Sequence, residues 1–392
     1  MSGGLSAAKL ALLHDVMAGY VERGDIPGLV TVVARRGEAH VDAIGAEPDS
    51  LFRIASMTKP VTAAAAMILV EEGRARLDEP VDAVLPELAH RSVLKSLESS
   101  LDDTVPANRP ITLRDLLTFR LGFGLVMAMP GTYPIQKAMD ELGLAPGPPA
   151  PARMPDPDEY LRRLGTLPLI HQPGERWMYN TGSDVLGVFV ARASGRPLEE
   201  FMRERIFEPL GMKDTGFHVP PGDVRRLLPS YETSWQTGRV ELYDPPDGQW
   251  SRPPAFASGA GGLVSTAADF LAFGEMMLNH GRRGSTRILS RPAVETMITD
   301  HLTPAQKAVS GLGPDFFANT GWGFGVEVTT RRFDTWASVG RFGWSGGLGT
   351  SWYTDPAEAM VTIILTQQGM TSPDPPNVFR DFWNLAYAAI DD

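Results

Sequence analysis

From Thr62 to Val70 the sequence TAAAAMILV is almost wholly apolar, with no polar stripe at helical spacing. Such a run predicts a helix buried on every side, which places it at the centre of whatever fold forms. Pro60 is tolerated only in a first turn, where no backbone donor is lost, so the helix starts close to Ser56. Ser56 and Lys59 then share one face. At that spacing the lysine amine can reach the serine hydroxyl, and burial and the positive end of the helix dipole both favour its neutral, basic form. An amine of that kind can take the serine's proton.

Ser-x-x-Lys is short enough to recur by chance, and it does. Ser92 and Lys95 repeat it within HRSVLKSLESS, a polar stretch with no apolar helix behind it, which reads as a solvated surface segment. Context separates the two.

The chain has 392 residues, 43% hydrophobic and 21% charged, enough for a large core or two lobes. A net charge of −11 with no long basic run argues against nucleic acid or an anionic membrane surface as partner and favours a small molecule. There is no cysteine, so disulfides, thiol catalysis and thiolate metal sites are excluded. The histidines are scattered without His-x-x-x-His spacing, and neither a metal nor a cofactor is expected. The N-terminal MSGGLSAAKLALLHDVM has no basic region, long apolar core and cleavage site, and no run reaches membrane-spanning length, so a cytoplasmic enzyme is expected.

Residues 6–23 carry apolar positions at helical spacing and stop at Gly24. Gly28 to Arg35 and Ala39 to Ile44 are β-branched runs around Arg36-Gly37, which reads as a hairpin. The strand signal returns at Gly323 to Val328, Ala337 to Arg341, Thr350 to Thr354 and Met360 to Thr366, and Asn377 to Ile390 closes the chain as a helix. Ile111 to Phe119 reads as a helix, Ala128 to Asp158 as too proline-rich for any regular element, Ser183 as the N-cap of a helix ending at Gly195, and Thr266 with Asp269 as a capping box. Strands thus cluster at both ends. The expected architecture is an α/β (α+β) fold in which an antiparallel sheet flanked by helices is built from residues 1–75 and 255–392, with a mainly helical domain, residues 76–254, inserted.

A competing nucleophile motif is Gly343-Trp344-Ser345-Gly346-Gly347, which matches G-x-S-x-G. The nucleophile elbow needs a helix directly after its serine and a histidine downstream. Here LGTSWY reads as a turn and a strand, and His301 is the last histidine. If Ser56 and Lys59 act, a further group must hand the proton to the leaving group. Tyr179, in HQPGERWMYNTGSDVLG, sits between a Pro-Gly turn with a tryptophan anchor and the start of a helix, where a loop can present its hydroxyl.

Ser56-Met57-Thr58-Lys59, then Tyr179 ahead of Asp184-Val185-Leu186-Gly187, then Trp344-Ser345-Gly346-Gly347 in strand context, together resemble the serine β-lactamase and penicillin-binding-protein superfamily. Within it the chain looks most like the class C β-lactamase-like, or family VIII, carboxylesterases. The resemblance implies that Ser56 becomes acylated while Lys59 and Tyr179 share the base and acid work. It also implies an oxyanion hole from the backbone N–H groups of Ser56 and Gly347, and a substrate pocket with Trp344, Ser345 and Gly346. Two departures bear on substrate. Trp344 stands where β-lactamases and D,D-peptidases open this motif with a cation for the substrate carboxylate, and Thr181 stands where β-lactamases carry an asparagine, with Asn180 one place early. The expectation is therefore a serine hydrolase of small carboxylic esters. The alternatives are a β-lactamase, D-amino-acid peptidase or acyltransferase on the same scaffold, and a binding protein that keeps the fold without catalysis.

Overall fold

A computed structural model describes residues 3–234, 236–313 and 315–392; Met1 and Ser2, which open the segment read for a leader, lie outside them. The β-branched runs at the two ends of the chain meet. Leu29–Arg35 (β1) turns through Arg36 (φ 51°) and Gly37 (φ 82°) into Glu38–Ile44 (β2), the left-handed pair that a tight hairpin demands. Thr320–Trp322 (β3), Glu327–Thr329 (β4), Phe342–Gly346 (β5), Thr350–Asp355 (β6) and Met360–Thr366 (β7) complete an antiparallel sheet of order β3-β4-β5-β6-β7-β1-β2. The long-range joint is β1 against β7, in register from Leu29 opposite Thr366 to Arg35 opposite Met360.

Both central strands are buried throughout, and period two decides what each side chain meets. Leu29, Val33 and Ile364 face Leu13 and Met17 of the helix Ala7–Glu22 (α1) and Phe379, Phe382 and Trp383 of the C-terminal helix Asn377–Ala388. Val30, Val32, Val361, Ile363 and Leu365 face the larger core, which holds the helices Thr58–Glu71 (α2) and Ala267–Leu278. Helix α2 is buried from Thr58 to Leu69, as its composition requires, and it packs on Thr181–Ser194 (α3). The approach is close: a Cβ on Gly259, between them, would lie 2.5 Å from the Ser183 carbonyl and 2.9 Å from Thr62 Cγ2.

Several expected elements differ. Gly323 to Val328 is the turn between β3 and β4 with the start of β4, because Phe324 N–H bonds to the Met297 carbonyl instead of a neighbouring strand. Ala337 to Arg341 is irregular; Gly340 is left-handed (φ 87°), and the strand begins only at Phe342. The proline-rich stretch contains a helix, Pro134–Glu141, whose one proline opens the first turn, where no intrahelical donor is needed. Ser183 lies inside α3, and Asn180 takes the cap position. Ile111 to Phe119 shortens to Leu113–Leu117, started by a reciprocal Thr112–Asp115 capping box. Thr266 accepts from Asp269 N–H, but the Asp269 carboxylate turns away to Asp214 N–H and Thr215 Oγ1, so the second box is half formed. Ser92–Leu94 is a strand paired with Thr104–Pro106, its Val93 and Leu94 buried, instead of a solvated surface segment.

Gly259→Ala is expected to destabilise the protein by about 1–3 kcal/mol, since the added methyl overpacks the α2–α3 seam. Gly222→Ala, where a Cβ meets nothing, should stay within about 0.5 kcal/mol of the parent in the same denaturant titration.

Candidate active site

The chain enters α2 by a forced route. Phe52–Arg53 pairs with Val264–Ser265, Ala55 follows with φ 44°, and a single 3₁₀ turn, Ala55–Met57, leads into the helix. A left-handed alanine costs roughly 1–2 kcal/mol and persists only where its neighbours are fixed. They are fixed here: Ile54 N–H donates to the Leu263 carbonyl at 3.0 Å, Thr350 Oγ1 donates to the Ile54 carbonyl at 3.0 Å, and Leu263 N–H donates to Thr58 Oγ1 at 3.2 Å. Ser56 is thereby held at the wall of a cavity of about 750 Å³.

Three sequence-predicted side chains converge on that wall. Lys59 Nζ lies 2.8 Å from Ser56 Oγ, and the Tyr179 hydroxyl donates to the same oxygen at 2.8 Å. Trp344 Nε1–H donates to the Tyr179 hydroxyl at 2.8 Å. Lys59 is wholly buried, and its amine also meets Asn180 Oδ1 at 2.9 Å and the Ala260 carbonyl at 2.7 Å. Burial draws its pKa down to about 7, against the opposing pull of Asp184. A neutral amine has two hydrogens, and two carbonyl-type oxygens take them. Its lone pair is then left for the Ser56 hydroxyl. Burial pushes Tyr179 up to about 12, with its bonds to Ser56 and Trp344 opposing, so it stays a donor at neutral pH. The indole, the phenol and the serine hydroxyl thus each give one proton, all in the direction of the amine.

Tyr179 is positioned by its neighbours more than by its own contacts. Met178 N–H donates to the Phe119 carbonyl at 2.8 Å and Leu125 N–H to the Tyr179 carbonyl at 3.0 Å. Its ring stacks on Trp177 at 5.6 Å and meets Trp344 at 5.7 Å, inside a cluster with Phe119, Trp322 and Phe317. Asn180 follows in a left-handed conformation (φ 83°), and its amide reaches Lys59 from there. Thr181 is buried and lines a smaller cavity, of about 280 Å³, that also borders Ser56.

The third motif divides. Trp344, Ser345 and Gly347 line the large cavity. Ser345 sits in β5 as its strand context suggested, and its hydroxyl donates to Ser351 Oγ at 3.0 Å. Gly346, expected among the substrate-binding residues, instead packs where a Cβ would fall 2.3 Å from both the Ile54 carbonyl and Thr350 Oγ1. It lets the sheet edge touch the helix start. At Gly347 an added Cβ would meet nothing, so its backbone is open to an approaching molecule.

Sequence reasoning missed the groups behind the lysine. Asp184, buried in the first turn of α3, accepts from Ser258 Oγ at 2.6 Å and Ala260 N–H at 3.2 Å, and the Ala260 carbonyl in turn accepts from Lys59. Burial raises the Asp184 pKa, with Ser258 and Lys59 opposing. The available signal was a carboxylate standing before the apolar run Val185–Val190. Two arginines that could have supplied a cation from another direction do not: Arg341 is buried against the Tyr353 ring at 3.6 Å, Arg120 donates to Thr118 Oγ1 at 2.9 Å, and neither lines the cavity.

A buried Ser-x-x-Lys helix start, faced by a tyrosine loop and by the edge of an antiparallel sheet, defines the serine β-lactamase and penicillin-binding-protein fold. The chain belongs to the Beta-lactamase family, which it matches over residues 13–381. Protein Rv1367c of Mycobacterium tuberculosis is 39% identical over 88% of this chain and 87% of its own. Esterase EstB of Burkholderia gladioli is 31% identical over 94% of both. The solved structure of EstCE1, a hydrolase with promiscuous acyltransferase activity, superposes with a TM-score of 0.78 at 24% identity, covering 99% of this chain and 100% of that one, and shares the fold. This kinship makes the chain a serine hydrolase or acyltransferase in the general sense, most like the family VIII carboxylesterases. No described helix is long and apolar enough to cross a membrane.

Asp184→Asn keeps an acceptor for Ser258 and Ala260 but removes the charge that raises the lysine's proton affinity. The Lys59 titration, followed by NMR of isotope-labelled lysine, should therefore move to lower pH, by up to about one unit. An unchanged midpoint would mean that the carboxyl carries no charge there.

Proposed function

We propose that the protein hydrolyses small, uncharged-acid carboxylic esters through an acyl-enzyme on Ser56. The observation that carries this reading is the pair of hydrogen-bond contacts at Ser56 Oγ, with a buried amine on one side as acceptor and a phenol on the other as donor. Lys59 removes the serine proton as Oγ attacks the ester carbonyl, and the oxygen that becomes negative is met by the Ser56 and Gly347 N–H groups. Tyr179 gives its proton to the departing alkoxide and regains one from the Lys59 ammonium, so the net transfer is from serine to alcohol. Water then repeats the sequence on the acyl-enzyme. A β-lactam asks for more, because its carboxylate would face the Trp344 indole, and the nearest cation lining the cavity is the exposed Arg380.

A fluorophosphonate probe should label Ser56, and Ser56→Ala should abolish turnover of p-nitrophenyl butyrate while Ser345→Ala keeps a substantial part. Label on Ser345 would overturn the assignment. Tyr179→Phe should lower the acylation rate by about a hundredfold or more, the range of a positioned proton-transfer group. The same preparation should turn over the ester with a kcat/KM at least about a hundredfold above that for a chromogenic cephalosporin, the scale of one unpaired charge in a partly dry site. Equal rates would return the chain to the β-lactamase reading.

The base sets the pH dependence. Lys59 acts only when neutral, and its pKa is drawn down to about 7. Ester kcat/KM should therefore rise with pH through a midpoint near 7 and fall about tenfold per unit well below it. A profile flat from pH 5 to 9, at about constant stability, would exclude a lysine base.

A further inference from the structure

The large cavity contains a carboxyl group that the proposed reaction does not use. Glu327, on β4, lines the wall with Trp344, Ser345, Tyr353 and Trp336. Its side chain has one long hydrogen bond, from the Tyr353 hydroxyl at 3.4 Å, and no ion pair within 4.0 Å among the described residues. Arg341, the cation that most opposes the rise in its pKa, makes no ion pair within 4.0 Å among the described residues and does not line the cavity. Its guanidinium stacks on the Tyr353 ring at 3.6 Å, on Trp336 at 4.9 Å and on Trp383 at 5.0 Å, and Asp355 faces it through the Tyr387 hydroxyl. The cavity mouth is acidic as well. Asp315, Asp334 and Asp374 are exposed there, against Arg380 as the one lining cation among the described residues. Burial raises the Glu327 pKa to about 7, with Arg341 and Tyr353 opposing.

A lone carboxylate set among aromatic rings, under an acidic rim, is complementary to one class of group. Aromatic faces attract cations and are indifferent to neutral alkyl groups beyond packing, while a partly buried carboxylate repels anions and gains most from a desolvated positive charge. We infer that the large cavity is a subsite for a positively charged group, an ammonium or other basic amine on the ester substrate, with Glu327 as its counter-charge and the aromatic walls as its seat. The inference rests on the esterase reading above and names its substrate class. It inverts the usual polarity of this position: where a protein cation would meet a substrate carboxylate, an indole and a glutamate meet a substrate cation.

The test compares two thioesters of matched shape, butyrylthiocholine and S-(3,3-dimethylbutyl) thiobutyrate, which differ by one positive charge. The chain has no cysteine, so a thiol reagent reads only the released product. The charged ester should be preferred by about tenfold or more in kcat/KM at low ionic strength, chiefly through KM, and the preference should shrink with added salt. Glu327→Gln should reduce that selectivity ratio by about tenfold. The ratio is taken within one preparation, so a partly folded variant does not disturb it. A ratio of unity in the parent, or one that survives Glu327→Gln, would overturn the inference. If the neutral thioester is cleaved in a Ser56-dependent way and the ratio is unity, the subsite fails and the esterase reading stands. If neither thioester is cleaved, turnover of p-nitrophenyl butyrate decides the esterase reading, and the subsite is decided by binding. Tetramethylammonium should then quench tryptophan fluorescence saturably in the parent and more weakly in Glu327→Gln, whereas a response no greater than that to sodium chloride would overturn it.

Discussion

The structure depends on removing one amine from water. Lys59 would carry a charge at neutral pH in an unfolded chain, and the folded chain surrounds it with α2, α3 and the Ser258–Leu263 segment until solvent has no access. Its folded pKa lies below its unfolded one, so the unfolded state binds the extra proton between about pH 7 and 10.5 and stability rises with pH across that window. Near neutral pH the site therefore works against the fold. The large, dry core around α2 offsets that cost, which explains why so apolar a helix carries so polar a pair at its start.

The same geometry explains the division of labour between the chain's parts. The sheet and α2 hold Ser56 through hydrogen bonds to Ile54 and Thr58 on either side of it and a strained Ala55. Tyr179 and Asn180 arrive from a loop more than a hundred residues away, and by side chains alone they reach Ser56 and Lys59 respectively. Proton-handling groups of opposite tendency, an amine made weaker as a base and a phenol made weaker as an acid, are thereby held on two sides of one oxygen. Both shifts have one cause, burial.

Much of this was legible from residues alone. The near-continuous β-branched runs at Leu29 and Met360 are strands covered on both faces of the sheet, and the apolar α2 could lie nowhere but inside. Ser56, Lys59, Tyr179 and Trp344 stand out in the sequence by spacing and order, and the fold brings the four side chains into contact. What failed was local structure decided by distant partners. Gly323 to Val328 reads as a strand until the Met297 carbonyl claims Phe324, and Ser92 to Leu94 reads as surface until Thr104–Pro106 pairs with it. Asn180, Asp184 and Ser258 were silent for the same reason, since each matters only through a partner that tertiary structure brings to it. Glu327 looked like one more polar residue in a β-branched run.

The contact of Gly346 with the Ile54 carbonyl acts as a ruler. Because no side chain intervenes, the edge of β5 rests on the backbone that leads into Ser56, and Thr350 ties the same carbonyl from the next strand. The spacing between the serine and the glycine turn is therefore a property of two backbones, independent of the side chains that line the cavity. Wall residues such as Trp344 and Glu327 can be exchanged without moving the Ser56 backbone relative to that of Gly347. A fold with that property can change what its cavity accepts while the serine and the glycine turn stay where they are.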